Sequence, residues 1–219
     1  MTGAMPVIRA RWCDVGRIAD LVAEALSPTA LAAWLVPDAP RRSTVLAAVA
    51  RIWIEHALLF GDAFLLPDGT AATVWFHRYR PIPPPRRYVD RLGAAAGPDV
   101  DRFRRLDDEL AARRPVEPHN HLALLAAPGG GAVEALAGAQ RRMDTLSLPT
   151  YAQVDDEPYG SLLRRLGYLD RGIFPAPDGT ELRSMWRPTP AHPGGNDRWP
   201  VRRIGRRGRN GRAAGRATH

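Results

Sequence analysis

The chain contains no lysine: all 31 of its basic residues are arginine. Schiff-base chemistry, a phosphate-loop lysine and a lysine base are therefore excluded. One cysteine, Cys13, stands among 219 residues, which excludes an internal disulfide and a cysteine-rich metal site. No run of about 18 apolar residues occurs, so neither a transmembrane helix nor a membrane partner is expected. Met1–Ile8 lacks a basic region followed by an apolar stretch, so no secretory signal is expected and the anticipated compartment is the reducing cytoplasm. The lysine gap, with abundant Ala, Gly, Pro and Arg, fits codon bias from a GC-rich genome.

What is present is ordinary for a globular protein: 45% hydrophobic and 25% charged residues, which excludes disorder of the whole chain. The net charge of +8 is unevenly placed. Residues 191–219 hold eight arginines and one acid, Asp197, whereas the preceding 190 residues are nearly neutral. Nucleic acid is thus expected, if anywhere, at the basic tail and not at the body. From Pro188 onward the composition falls to Arg, Gly, Pro and Ala, which cannot build a core. The expected organisation is one domain over residues 1–188 and a disordered Arg/Gly/Pro-rich tail over 189–219.

The pattern along the body is mixed. Val7–Arg11 reads as an opening strand, and Asp14 as a cap for a helix with its stripe at Ile18, Leu21, Val22 and Ala25. A short helix over 30–36 and an amphipathic helix over 40–60 follow, the latter ended by Gly61. Strands over 62–66 and 71–77 flank the turn Pro67-Asp68-Gly69-Thr70. Pro81, Pro83, Pro84 and Pro85 then exclude regular structure. Two polar helices near 86–96 and 99–114 precede the most strand-like run, 119–127. Pro128-Gly129-Gly130-Gly131 leads into a helix over 132–146. A strand over 150–154, a helix over 158–166 and two strands around Asp178-Gly179 complete a mixed α/β sheet.

His119 and His121 sit two apart on that strand, so they share a face, expected to include Ala123 and Leu125. They could deprotonate an amine or polarise a substrate group, or do nothing chemical. As a metal pair they lack a visible third ligand, so no metal is expected. His56 falls on an apolar helix stripe and reads as a core or rim histidine. Asp155-Asp156-Glu157 suits the N-terminus of a helix.

The stretch His119-Asn120-His121-Leu122-Ala123-Leu124-Leu125-Ala126-Ala127-Pro128, the Gly-rich turn and helix after it, Leu148-Pro149-Thr150-Tyr151-Ala152, and Leu162-Leu163-Arg164-Arg165-Leu166-Gly167-Tyr168 together resemble the GCN5-related N-acetyltransferase (GNAT) superfamily. Val7-Ile8-Arg9, Trp34-Leu35-Val36-Pro37-Asp38 and Trp75 before the proline-rich excursion resemble its bacterial members. The resemblance covers roughly residues 5–188. It implies a GNAT-like mixed central sheet flanked by helices, and acetyl-CoA or another acyl-CoA as cofactor. The pantetheine arm would run along Leu124, Leu125 and Ala126. The pyrophosphate would lie at Gly129, Gly130, Gly131, Ala132 and Val133, where glycines and a helix N-terminus favour an anion. Trp34, Trp53 and Trp75 fall in elements surrounding the cleft of such a fold. Trp34 and Trp75 are assigned to the substrate pocket.

Two departures stand out. The loop is about three residues shorter than the family's Gly-rich loop, contains no arginine, and is followed by Glu134. Counting back from Gly167-Tyr168, the family's tyrosine acid falls at Leu163 and its asparagine at Tyr159. His121, His119 and Tyr159 are the candidate catalytic residues. Three functions follow. The first is an acyl-CoA-dependent N-acyltransferase acting on a small-molecule amine, as a monomer or homodimer. The second is a repurposed GNAT-fold enzyme performing cyclisation, elimination or isomerisation in a biosynthetic pathway. The third is a non-catalytic binding protein.

Overall fold

A computed structural model describes residues 6–155 and 157–190. The basic tail, from residue 191, lies outside them. In chain order the elements are β1 (Ile8–Arg9), α1 (Val15–Leu26), α2 (Ala30–Leu35), α3 (Ala39–Phe60), β2 (Gly61–Leu65) and β3 (Ala72–Arg78). There follow α4 (Tyr88–Ala96), α5 (Val100–Ala112), β4 (His119–Ala126), α6 (Ala132–Asp144), β5 (Thr150–Val154), α7 (Glu157–Arg165), β6 (Leu169–Pro175) and β7 (Glu181–Arg187). The seven strands form one sheet in the order β1-β2-β3-β4-β5-β7-β6. The β4–β5 pair is parallel and every other pair is antiparallel.

Local chemistry sets these elements. In α1 the buried residues Val15, Ile18, Ala19, Val22 and Ala23 recur at helical spacing and form one stripe. Asp14 does not cap α1 by its side chain; its carboxylate instead accepts from the Arg11 N–H at 2.7 Å. The α3 helix is the one helix among the described residues long and apolar enough to cross a membrane. Its Ile54 and Ala57 are fully buried inside the protein. Directly after it, Gly61 begins β2. A Cβ there would stand 2.0 Å from the Trp75 carbonyl oxygen, so close strand approach requires glycine.

The sheet is covered on both faces. On one, α6 and α7 pack Leu136, Met143, Leu162 and Leu163 against Trp75 and Leu122. On the other, α1 and α3 pack Ile18 and Ile54 against Val74 and Phe76. A third apolar cluster, Leu35, Leu46, Leu92 and Phe103, joins α2 through α5 beside that second face. A buried polar chain fixes α6 to the C-terminal strands. Tyr168 donates to Gln140 Oε1 at 2.6 Å, and Gln140 Nε2 donates to Asp144 and to Thr150 Oγ1. Arg187 donates to Asp144 from both terminal nitrogens, at 2.5 and 3.1 Å. Satisfied buried networks of this kind hold neighbouring elements in one arrangement.

Candidate active site

The centre of the sheet is split. Strands β4 and β5 pair only at Asn120↔Thr150, His121↔Tyr151 and Leu122↔Ala152. Beyond these residues β4 continues alongside β3 to Ala126, while β5 continues alongside β7 to Val154. The β5-facing backbone edge of β4 after Leu122 therefore has no strand partner.

A β-bulge lies where the split begins. Trp75 pairs with Leu122 and Val74 with Leu124, so Ala123 is the extra residue. The bulge corrects the expected alternation. His121 shares the face of Phe76, and Leu124 and Ala126 share that face with Val74 and Ala72. Leu125, expected beside the histidines, lies on the α6 face opposite Thr73. One inserted residue reverses the facing of everything after it.

A cavity of about 530 Å³ meets the split on the α1/α3 face. The first residues past the paired segment, Ala123 on β4 and Gln153 on β5, both line it. Its walls are mostly apolar, with Val22, Leu35, Val49, Trp53, Phe76 and Leu106 among them. The proline-rich segment forms one side: His56 Nε2 donates to the Pro83 carbonyl at 2.9 Å. That size and lining suit a small organic molecule.

The polar groups of the cavity are few and perturbed. Arg78, at the end of β3, and Arg114, just after α5, both line it. Burial, with the neighbouring Arg114 charge, lowers the Arg78 guanidinium to about 10. Burial lowers Arg114 as well, and Tyr151 and Asp107 only partly offset this. His121 is 7% exposed, and burial and then the charges of Arg78 and Arg114 push it well below the usual histidine range. Its Nδ1 accepts from Arg78 Nε at 3.4 Å. It is therefore neutral near pH 7. His56 is also lowered, chiefly by burial. Asp107 accepts the Tyr88 hydroxyl, yet burial still raises its carboxyl to about 6.

The candidate residues are distributed as follows. His121 is at the cavity wall. His119 is fully buried, with its ring against Tyr151 and Trp186 and Nδ1 donating to the Glu117 carbonyl at 2.6 Å. Its ring centroid lies 6.2 Å from that of His121. Trp75 is on the opposite sheet face, fully buried, donating to Thr73 Oγ1 at 2.8 Å. Trp34 is half-buried beneath the Arg102 guanidinium. Neither Trp34 nor Trp75 lines the cavity; Trp53 does. Leu163 is fully buried in the α6/α7 core, and Tyr159 packs against the same core half-buried. Arg78, Arg114, Gln153 and Asp107 carry no signal of this role in the sequence. No motif separates Arg78 and Arg114 from the other arginines. Among the described residues no group of three or more His, Cys, Asp or Glu side chains could hold a metal.

The glycine loop after β4 has the geometry of an anion cradle. Gly130 and Gly131 have φ of +100° and +82°, a conformation open to glycine. A Cβ at Gly129 or Gly130 would meet nothing within 4 Å. The first α6 N–H to find a helical acceptor is that of Ala135, donating to Gly131 O at 2.9 Å. Those of Ala132, Val133 and Glu134 precede it and have no acceptor within the helix. The loop thus fits a phosphate, with the exposed Glu134 carboxylate in the same first turn.

No family model matches the sequence, and no curated protein matches it. Solved structures do resemble it in fold. A histone acetyltransferase HPA2 and related acetyltransferase from Corynebacterium glutamicum is 21% identical with a TM-score of 0.63, covering 86% of this chain and 98% of that one. A Drosophila melanogaster polyamine N-acetyltransferase, described as forming N-acetylagmatine, is 16% identical with a TM-score of 0.53, covering 82% and 97%. An agmatine N-acetyltransferase variant is 17% identical with a TM-score of 0.50, covering 82% and 97%. The fold is that of the GNAT acetyltransferases.

Proposed function

For this GNAT-fold chain we propose an acyl-CoA-dependent N-acyltransferase that acts on a small-molecule amine in the cytoplasm, its site contained within residues 1–188. The observation that carries this reading is the junction of three features. The split between β4 and β5 opens after Leu122, the apolar cavity reaches β4 at Leu122, Ala123 and Leu124, and the glycine loop follows the end of the same strand. The backbone of Leu124, Leu125 and Ala126 would pair with the pantetheine amides. Gly129, Gly131, Ala132 and Val133 would hold the pyrophosphate through N–H groups, while Gly130, whose N–H donates to the Ala127 carbonyl at 3.1 Å, would shape the turn that presents them. Bound there, the coenzyme would supply an activated acyl thioester.

The chain's own groups then have distinct tasks. Backbone N–H groups at the β4 bulge would stabilise developing negative charge on an oxygen. His121 is held neutral; its one lone pair, on Nδ1, accepts from Arg78, so it would take the amine proton there only once the Arg78 guanidinium turns to a bound anion. His119 backs the His121 ring through edge contact. With Leu163 locked in the core, the Tyr159 phenol, one helical turn earlier on α7, would protonate the leaving group.

The test is calorimetric titration with acetyl-CoA, followed by thiol release with a panel of primary amines. We expect saturable binding, weaker than micromolar because of Glu134, and amine-dependent thiol release. No binding by the parent chain or by Glu134→Gln would overturn the proposal. The buried Leu163 favours a second reading, in which the fold performs a cyclisation, elimination or isomerisation without coenzyme. That reading requires the same titration to be blank.

A further inference from the structure

We infer that the cavity is built to hold a carboxylate between Arg78 and Arg114, so that its ligand is an apolar molecule carrying a carboxylate. That this ligand is the acyl acceptor, an amine with a carboxylate, rests on the reading above; the anion site rests on the cavity itself.

The two guanidiniums have hydrogen-bonding capacity that the protein leaves unmet. Arg114 Nε is buried with no hydrogen-bond partner. Arg78 makes one long bond, 3.4 Å to His121 Nδ1, and lies over the Phe76 ring at 5.4 Å. On the same wall, Gln153 Nε2 is also buried without a partner. Two other inward-facing arginines are satisfied. Arg187 bonds Asp144 twice and the Leu166 carbonyl, and Arg42 bonds the carbonyls of Ser27, Val36 and Pro37. Withdrawn charges without partners are costly and uncommon, so donors left open in a cavity mark where a ligand's acceptors go.

The remaining charges select the kind of anion. Asp107, Asp108 and Asp155 also line the cavity. Asp107 is engaged with the Tyr88 hydroxyl. The ion pairs among the described residues include neither Arg78 nor Arg114, and the Asp107 charge only partly offsets the burial of Arg114. Three acids on the walls oppose a multiply charged phosphate, whereas a planar carboxylate carries one charge and two oxygens that match a guanidinium fork. His56, His119 and His121 are all held towards neutrality, chiefly by burial, so they add no competing cation. Trp53, Phe76 and Leu106 leave the rest of the volume to an apolar body.

The experiment is calorimetric titration of the full chain with 3-phenylpropanoate, L-phenylalanine and 2-phenylethylamine at one ionic strength. Both carboxylates should bind, and 2-phenylethylamine at least about tenfold more weakly. Arg114→Met and Arg78→Met should each weaken the carboxylates by about 30-fold or more. Their melting temperatures should be unchanged or raised, which separates lost recognition from lost folding. Equal binding of 2-phenylethylamine, undiminished carboxylate binding by both folded variants, or no carboxylate binding at millimolar concentration would overturn the inference. Thiol release from acetyl-CoA separates the two proposals. Carboxylate binding with no acetyl-CoA binding and no thiol release with any amine of the panel removes the acyltransferase and keeps the anion site. Transfer to 2-phenylethylamine in preference to phenylalanine does the reverse.

Discussion

Alanine placed in turn at the three loop glycines gives a graded outcome that the backbone dictates. At Gly129 the chain is outside the left-handed region and a Cβ would meet nothing within 4 Å. Gly129→Ala should therefore be neutral, or stabilising by up to about 1 kcal/mol through the unfolded state. Gly130 has the same open space but φ of +100°, so the variant should lose about 1–2 kcal/mol to backbone strain. At Gly131 strain and collision add. Its φ is +82°, and a Cβ would lie 2.6 Å from Leu66 Cδ1 and 3.3 Å from Thr70 Oγ1. Leu66 is itself 2% exposed and cannot step aside. Overpacking typically costs about 1–3 kcal/mol, so the total should be about 2–5 kcal/mol. At about 2–4 °C per kcal/mol for a domain of this size, the melting temperature should fall by roughly 5–15 °C. Urea melts and calorimetry read both quantities. A Gly131→Ala protein melting with its parent, or a Gly130→Ala protein less stable than Gly131→Ala, would refute this account of the loop. Because Gly129→Ala folds normally, an acetyl-CoA affinity about tenfold weaker in that variant reports the cradle and not its stability.

Four further outcomes are expected. Asp107→Asn should raise stability at pH 7 by about 1–3 kcal/mol and do nothing at pH 4, since the amide still accepts from Tyr88 and the native carboxyl, raised from 3.8 to about 6, loses stability as pH rises through that value; equal melting of the two proteins at pH 7 would refute it. His77 should titrate above 6.5 by NMR. Burial opposes this, but the hydrogen bonds to Asp62 and Asn120 and the Asp62 charge prevail. Its share of stability, complete below 6.5, should vanish as pH rises through the folded midpoint, and His77→Gln should flatten that decline. Leu163→Tyr, which restores the family's acid in sequence, should cost about 1–3 kcal/mol by overpacking a fully buried site, with no gain in thiol release. Glu134→Gln should tighten acetyl-CoA by up to about tenfold at low salt and less at high salt, because the charge is exposed and screened.

The order of elements was legible because each carried a local signal. The stripe through Ile18 and Val22, the turn at Asp68-Gly69 and the loop at Gly129–Gly131 each specify structure within a few residues. Placement of β7 between β5 and β6 has no such signal, since a hairpin reads the same on either side. The candidate site was legible where it follows from the order of elements, at the end of β4 and the glycine loop. It was not legible where it follows from facing. The bulge at Ala123 leaves the run Leu122–Ala126 apolar throughout, so periodicity cannot reveal it. Trp75 and Trp34 were assigned to the pocket by element, but strand alternation turns Trp75 towards α6 and leaves the wall to Trp53. Arg78 and Arg114 are distinguished from the other arginines by burial and missing partners, which only a folded chain possesses.

Ala123 also separates what the fold needs from what the site needs. On either side of it the residues already alternate as an uninterrupted strand would: His121 and Leu124 face α1, and Leu122 and Leu125 face α6. Excising Ala123 would therefore leave every core side chain pointing where it points now and let the ladder with β3 close without a skip. A deletion in a central strand normally scrambles a core; this one should heal a defect. The chain would be expected to fold at least as well and to lose the kink that aims β4 away from β5. The extra residue can thus be regarded as a hinge pin, dispensable to the architecture, whose retention is accounted for only by the opening it creates.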